Sequence, residues 1–165
     1  MLLTQKLLDL AGIGRNRLHI AWVSSAEAQR FVDLTTSVIS SIQEQGPFDA
    51  AAFDLQLKAV EATLDTEQIR WLVGKELKLL QRGDVYGRKW EKAKLEAVLD
   101  ATLEREYQKH LIRQAIIAGH TSVRAISSAI GLPLRRISYL LADMEKTNMV
   151  EFKGHEHHVP VFAAL

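Results

Sequence analysis

Gly119-His120-Thr121-Ser122-Val123-Arg124-Ala125-Ile126-Ser127-Ser128-Ala129-Ile130-Gly131-Leu132-Pro133-Leu134-Arg135-Arg136-Ile137-Ser138-Tyr139-Leu140-Leu141 decides the fold of this chain. Thr121 or Ser122 is placed to cap a short helix over Val123–Ala129, with Ile126, Ala129 and Ile130 inward. Gly131 supplies the tight turn, where a positive φ costs glycine little. Pro133 suits the first position of a third helix, which buries Leu134, Ile137, Leu140, Leu141 and Met144. Upstream, Tyr107, Leu111, Gln114 and Ala115 mark a first helix that stops at Gly119. Downstream, Met149–Phe152 and Val159–Phe162 are two strand-like runs around Gly154-His155-Glu156-His157-His158, a hairpin wing. Helix, short helix, glycine turn, longer helix and hairpin predict a winged helix-turn-helix over 104–165.

Entering a major groove, the third helix would present Arg135, Arg136, Ser138, Tyr139 and Lys146: arginine for base edges, the others for phosphates. The charge distribution argues only mildly for this. Residues 105–165 carry 8 Lys/Arg against 5 Asp/Glu, and residues 1–104 carry 13 against 15. Dedicated DNA-binding domains are usually more basic, because phosphate neutralisation supplies most of their affinity. The competing expectation is that Arg135 and Arg136 form a solvated or protein-docking face.

Before this module, residues 49–103 read as a helical connector. One helix is expected over about Ala50–Leu64. A second, capped by Asp65-Thr66-Glu67-Gln68, should bury Ile69, Leu72, Val73, Leu77 and Leu80. Gly83–Gly87 is a loop, and a further helix runs from about Arg88 toward Leu103, continuing or kinking into Ile117.

Residues 1–48 read as helix, strand, helix. Leu2, Leu3, Leu7, Leu8 and Leu10 have helical spacing, and Leu18–Val23 alternates like a strand. Ser24–Glu27 offers a capping box for a helix striped by Phe31, Leu34, Val38 and Ile42. A lone strand cannot make a stable sheet, so this strand is expected to find partners outside the chain. The fold class is mainly α (α+β): a partial α/β segment, a helical linker region and the winged helix. Trp22, Trp71 and Trp90, each among apolar neighbours, are expected in the core.

Chemistry of its own is not expected. With no cysteine, the chain has no thiolate nucleophile and no cysteine-ligated zinc or cluster. Ser24 and Ser25 lack the glycine-flanked nucleophile elbow, and Gly12-Ile13-Gly14 precedes a strand instead of following one. His155, Glu156, His157 and His158 are neighbours whose side chains alternate, so a polar wing tip is expected and not a metal site. His110 and His120 are expected at the surface. Catalytic, cofactor and metal residues are therefore none. No apolar run reaches the ~18–20 residues of a membrane span, and the opening residues lack a signal-peptide pattern. The expectation is a cytoplasmic chain with no membrane partner.

Leu7-Leu8, Gly12-Ile13, Arg17-Leu18, Trp22-Val23-Ser24-Ser25-Ala26-Glu27 and Phe31 together resemble the closing segment of the iron–sulfur (delta) subunit of methyl-viologen-reducing hydrogenases. That subunit is also found joined to heterodisulfide-reductase-type complexes. Arg70–Glu76 and Asp84–Gly87 resemble an extension that some bacterial members carry before a winged helix. The resemblance implies a non-catalytic accessory or docking subunit of an electron-transfer complex. The family's cluster cysteines lie upstream of the matched region, so no ligand carries over to any residue here. The iron–sulfur cluster and FAD are expected on partner subunits: a heterodisulfide-reductase-like flavoprotein and a cysteine-containing delta-subunit N-terminal part. Met1 is then expected to begin inside a domain, the remainder being a separate polypeptide or an upstream coding stretch. The alternative expectation is a winged-helix DNA-binding regulator.

Overall fold

A computed structural model describes residues 2–83 and 86–165, and among the described residues it contains seven α-helices, a 3-10 turn at Arg15–Arg17, a π-helical turn at Lys78–Arg82 and a C-terminal hairpin. Asp84 and Val85 of the expected 83–87 loop therefore lie outside the described residues, as does the side chain of Leu77. The helices are α1 (Leu2–Leu10), α2 (Ala28–Gln45), α3 (Asp54–Leu64), α4 (Glu67–Leu77), α5 (Lys92–Ile117), α6 (Val123–Ile130) and α7 (Leu134–Lys146). Strands β1 (Val150–Glu156) and β2 (Val159–Ala164) follow, and the protein is mainly helical with one small antiparallel sheet. The chain divides into two units, residues 1–54 and 55–165.

The second unit contains the winged helix. Ser122 caps α6 by accepting from the Ala125 amide at 3.2 Å. Gly131 then adopts φ +74°, the left-handed helix stop that would strain a side-chain-bearing residue. Pro133 sits one place earlier than expected, at the cap of α7, where its missing N–H leaves no helical hydrogen bond unmade. Ile112, Ala115 and Ile116 of α5, Ile126 of α6 and Ile137, Leu140, Leu141 and Met144 of α7 form one core with Val150 of the wing. Ala129 stays exposed, because α6 buries its Val123–Ile126–Ile130 line instead.

In the wing, Val150 pairs with Ala164, Phe152 with Phe162 and Glu156 with Val159, with a register shift between Phe152 and Gly154. The turn residues His157 and His158 have φ of 50° and 66°, matching the paired positive φ of a tight hairpin turn. Ser122 also bridges Val161, and the Phe162 amide donates to the Thr121 carbonyl at 2.9 Å. The wing is thereby stitched to the start of α6.

Helix α5 runs over 26 residues as one element through Leu103, starting at Lys92, four residues later than the expected Arg88. Thr66 caps α4, accepting from Ile69 N at 3.4 Å. A single π-helical turn, Lys78–Arg82, extends α4 and ends at Gly83. A Cβ on Gly83 would lie 2.8 Å from the Arg88 carbonyl oxygen, so only glycine permits that approach. Trp71 is a correction to the expected core: it is 55% exposed. Ile69 is buried, and two residues along a helix is about 200° around its axis, so Trp71 takes the opposite side. Trp90 is half-buried, with the Lys94 ammonium 5.5 Å from its ring centre.

The first unit departs most from expectation. Residues 18–24 form no strand. Among the described residues, no hydrogen bond reaches the main chain of His19–Val23. Trp22, expected in the core, is 89% exposed. Among the described residues the α/β part thus has no sheet, for the physical reason that a ladder needs a second strand. Helix α3 begins at Asp54, four residues later than Ala50, after a turn in which Asp49 accepts from the amides of Ala51 and Ala52.

Candidate functional site

Among the described residues, two surfaces are the candidates for binding a partner. The first is the outward side of α7. Arg135, Ser138, Tyr139 and Lys146 are all exposed, Tyr139 at 63%, and with Ala142 they follow the three- and four-residue spacing of one helix face. Arg136 is not with them. One residue on, it is turned by about 100°, and its Nε donates to Gln108 Oε1 of α5 at 2.6 Å. Seven residues further, Asp143 lies on that same side and meets α5 again: Lys109 Nζ at 2.7 Å and Arg105 at 3.3 Å. Lys109 also reaches Glu106 at 3.2 Å.

This polar seam between α5 and α7 is largely enclosed. Lys109 is 4% exposed, and Glu106 and Gln108 are buried beside it. The Lys109 ammonium holds the Asp143 carboxyl below the usual carboxylate range, against the opposing effect of burial, with Arg105 and Lys146 adding to it. Burial pushes the Tyr107 phenol up to about 12.

The seam changes how the basic charge is read. Of the eight cations in 105–165, Arg105 and Lys109 are tied to carboxylates, Arg136 to Gln108, Arg113 to the Leu165 carbonyl and Lys153 to Glu151. Among the described residues, Arg124, Arg135 and Lys146 remain without a hydrogen bond or ion pair. Arg113 and Arg136, bonded to neutral acceptors, keep their charge but are half-buried. Only Arg124, Arg135 and Lys146 are thus both exposed and outside hydrogen bonds and ion pairs, a sparse phosphate-binding surface because each neutralised phosphate needs its own cation. The sequence counts all eight alike; only side-chain pairing separates them.

His110, expected at the surface, is a further correction. It is half-buried, and neither ring nitrogen has a hydrogen-bond partner among the described residues. It lies on α5 one helical turn after Glu106, so helix burial covers it. Burial lowers its pKa; Glu106 opposes this, and Arg113 and Lys109 add to it. A folded-state value below the unfolded one, about 6.5, fixes the sign of the effect. Stability is complete above pH ~6.5 and falls on acidification, as the unfolded chain takes up a proton that the folded chain resists. Substituting His110→Phe is expected to flatten the stability profile on acidification below pH ~6.5. Denaturation midpoints measured across that range check this, and an unchanged slope refutes it.

The second surface belongs to residues 1–54. A groove of about 440 Å³ runs between the 19–23 segment and α2, lined by Ile20, Val23, Phe31, Leu34 and Val38 among others. No side chain in the eighteen residues of α2 is buried. Phe31, Val32, Ile39 and Ile42 are exposed, as are Ile20 and Trp22 of the neighbouring segment. Polar contacts hold this unit together instead. Gln5 Nε2 donates to the Leu18 carbonyl at 2.8 Å. Arg17 donates to the Gln45 and Gly46 carbonyls at 3.2 and 3.3 Å, with its guanidinium 5.2 Å from the Phe48 ring centre. Glu27 reaches back to the Ser24 amide at 2.9 Å, while the Ser24 hydroxyl meets only Ala26 N, at 3.4 Å. The capping box expected at Ser24 is not formed: α2 begins at Ala28 with Glu27 at its cap position and no side-chain cap hydrogen bond, so the Ser24–Glu27 contacts close a turn ahead of the helix.

Among the described residues, no group of three His, Asp or Glu side chains is arranged to hold a metal, the wing tip included. No described helix is long and apolar enough to cross a membrane. Compared with known proteins, the chain matches neither a protein-family model nor a solved structure.

Proposed function

We propose that this chain is a cytoplasmic, non-catalytic docking subunit of a heterodisulfide reductase/hydrogenase-type electron-transfer complex. Residues 1–48 act as the closing segment of a delta-subunit-like domain, 49–103 as connector and 104–165 as a docking winged helix. The iron–sulfur cluster and FAD sit on partner subunits. The observation that carries the reading is the near absence of a core in residues 1–54, where only Leu7 and Ala11 are buried among the described residues. A segment that leaves Ile20, Trp22, Phe31, Val32, Ile39 and Ile42 in water has apolar area whose burial on a partner is worth about 25 cal/mol per Å². The resemblance of Trp22–Glu27 and Phe31 to hydrogenase delta subunits supplies the class of partner.

A winged-helix DNA-binding regulator is the second reading, favoured by the single exposed face Arg135–Ser138–Tyr139–Lys146. Salt dependence separates the two. Duplex-DNA affinity is expected to be weak, with a log–log salt slope no steeper than about −3, since Z phosphate contacts give about −0.9Z. The chain is expected to co-purify from its native source with flavin- and iron–sulfur-bearing proteins. Nanomolar DNA binding with a steep salt slope, and no such co-purification, overturns the docking reading.

A further inference from the structure

We propose that His19–Val23 accepts the edge strand of a sheet belonging to another polypeptide, a sheet of at least two strands that lies across the apolar side of α2. The inference rests on the docking reading above and specifies the occupant of the first unit. Three observations select it. The main-chain groups of His19–Val23 have no partner among the described residues. A helix docking here would bring no free main-chain donors and acceptors along its length, because its own are used internally. An extended chain brings one of each per residue. Second, Leu18–Val23 contains no charged residue and is rich in strand formers, so the strand beside it is apolar on the covered face. Third, the apolar residues of α2 line the groove next to this segment, where the helix layer of a sheet-and-helix sandwich would sit.

Width decides between a partner sheet and a second copy of this chain. A helix with its side chains is about 10–12 Å across and strands are about 4.8 Å apart, so one helix covers about two strands. A symmetric pairing of two 19–23 segments supplies two strands for two copies of α2, one strand each, and leaves half of each apolar stripe bare. Beside 19–23, one partner strand already brings the count to about two and covers the stripe, and a partner sheet supplies that strand without a second α2 to cover.

The test uses residues 1–165 co-expressed with the cysteine-containing N-terminal part of a methyl-viologen-reducing-hydrogenase delta subunit. Hydrogen exchange of the 19–23 amides is compared in the free chain and in the complex. Alternate amides in this stretch are expected to slow by about 100-fold or more on complex formation. Because successive strand N–H groups point to opposite edges, Ala21→Pro and Trp22→Pro each remove a donor from one edge. At least one of them is expected to weaken the complex tenfold or more, with Trp22→Ala separating out the lost side chain and unchanged helical circular dichroism showing intact helices. A stoichiometric complex with 19–23 still exchanging freely, or with both proline variants binding normally, overturns strand pairing and leaves the docking reading standing. No complex at all overturns both. Protection in the free chain together with a dimer in sedimentation shows self-pairing and overturns the proposed occupant.

Discussion

Replacing Lys109 with methionine is expected to destabilise residues 55–165 by about 3 kcal/mol, among the largest single-site losses in the molecule. The ammonium, 4% exposed, lies 3.2 Å from Glu106 and 2.7 Å from Asp143. Methionine keeps most of the stem's packing volume, so the loss reports the missing charge. Glu106 is then a buried carboxylate whose nearest cation is Arg105, at 3.8 Å. Asp143 suffers less, being partly exposed and still 3.3 Å from Arg105. Adding Glu106→Gln is expected to restore at least half of the loss, because the uncompensated charge goes with it. Urea unfolding of the three proteins decides the matter. If the single variant unfolds like the wild type, or the double variant is worse than the single, the seam is not held by charge pairing.

The second large effect is a contrast between neighbours on α7. Leu140→Ala is expected to cost about 2–5 kcal/mol, since Leu140 is fully buried at the centre of the winged-helix core and leaves a cavity. Tyr139→Ala, one residue away and 63% exposed, is expected to change stability by no more than about 0.5 kcal/mol. The pair reads the rotational setting of α7 directly. Equal costs at the two sites would mean that the helix is turned differently and that Arg135, Ser138 and Tyr139 do not form its outer face. Tyr139→Ala also serves as a folded variant for measuring what this face binds.

Local chemistry explains why the winged helix was readable in advance. Its helix period, the Ser122 cap, the glycine at a positive φ and the proline opening α7 are short-range signals, set within a few residues of where they act. The capped start of α4 is of the same kind, whereas the sequence left open whether the helix through Leu103 continues or kinks. The residues expected on the α7 binding face were less separable. Arg135 and Arg136 are adjacent in sequence and chemically identical, and only the position of Gln108, twenty-eight residues away from Arg136, ties one of them to α5.

What the sequence determined by itself is therefore periodic and local: which segments are helical, where they stop, and that the chain ends in a hairpin wing. What tertiary structure decided is which surfaces are spent. It tied five of eight C-terminal cations to partners inside the second unit, covered both ring nitrogens of His110 and turned Trp71 outward. It also left Leu18–Val23 without a strand, although its alternation is strand-like. The physical reason is common to all of these. Helical hydrogen bonds close within four residues, so sequence suffices for them, whereas ion pairs, burial and sheet ladders depend on groups that only folding or another chain brings near.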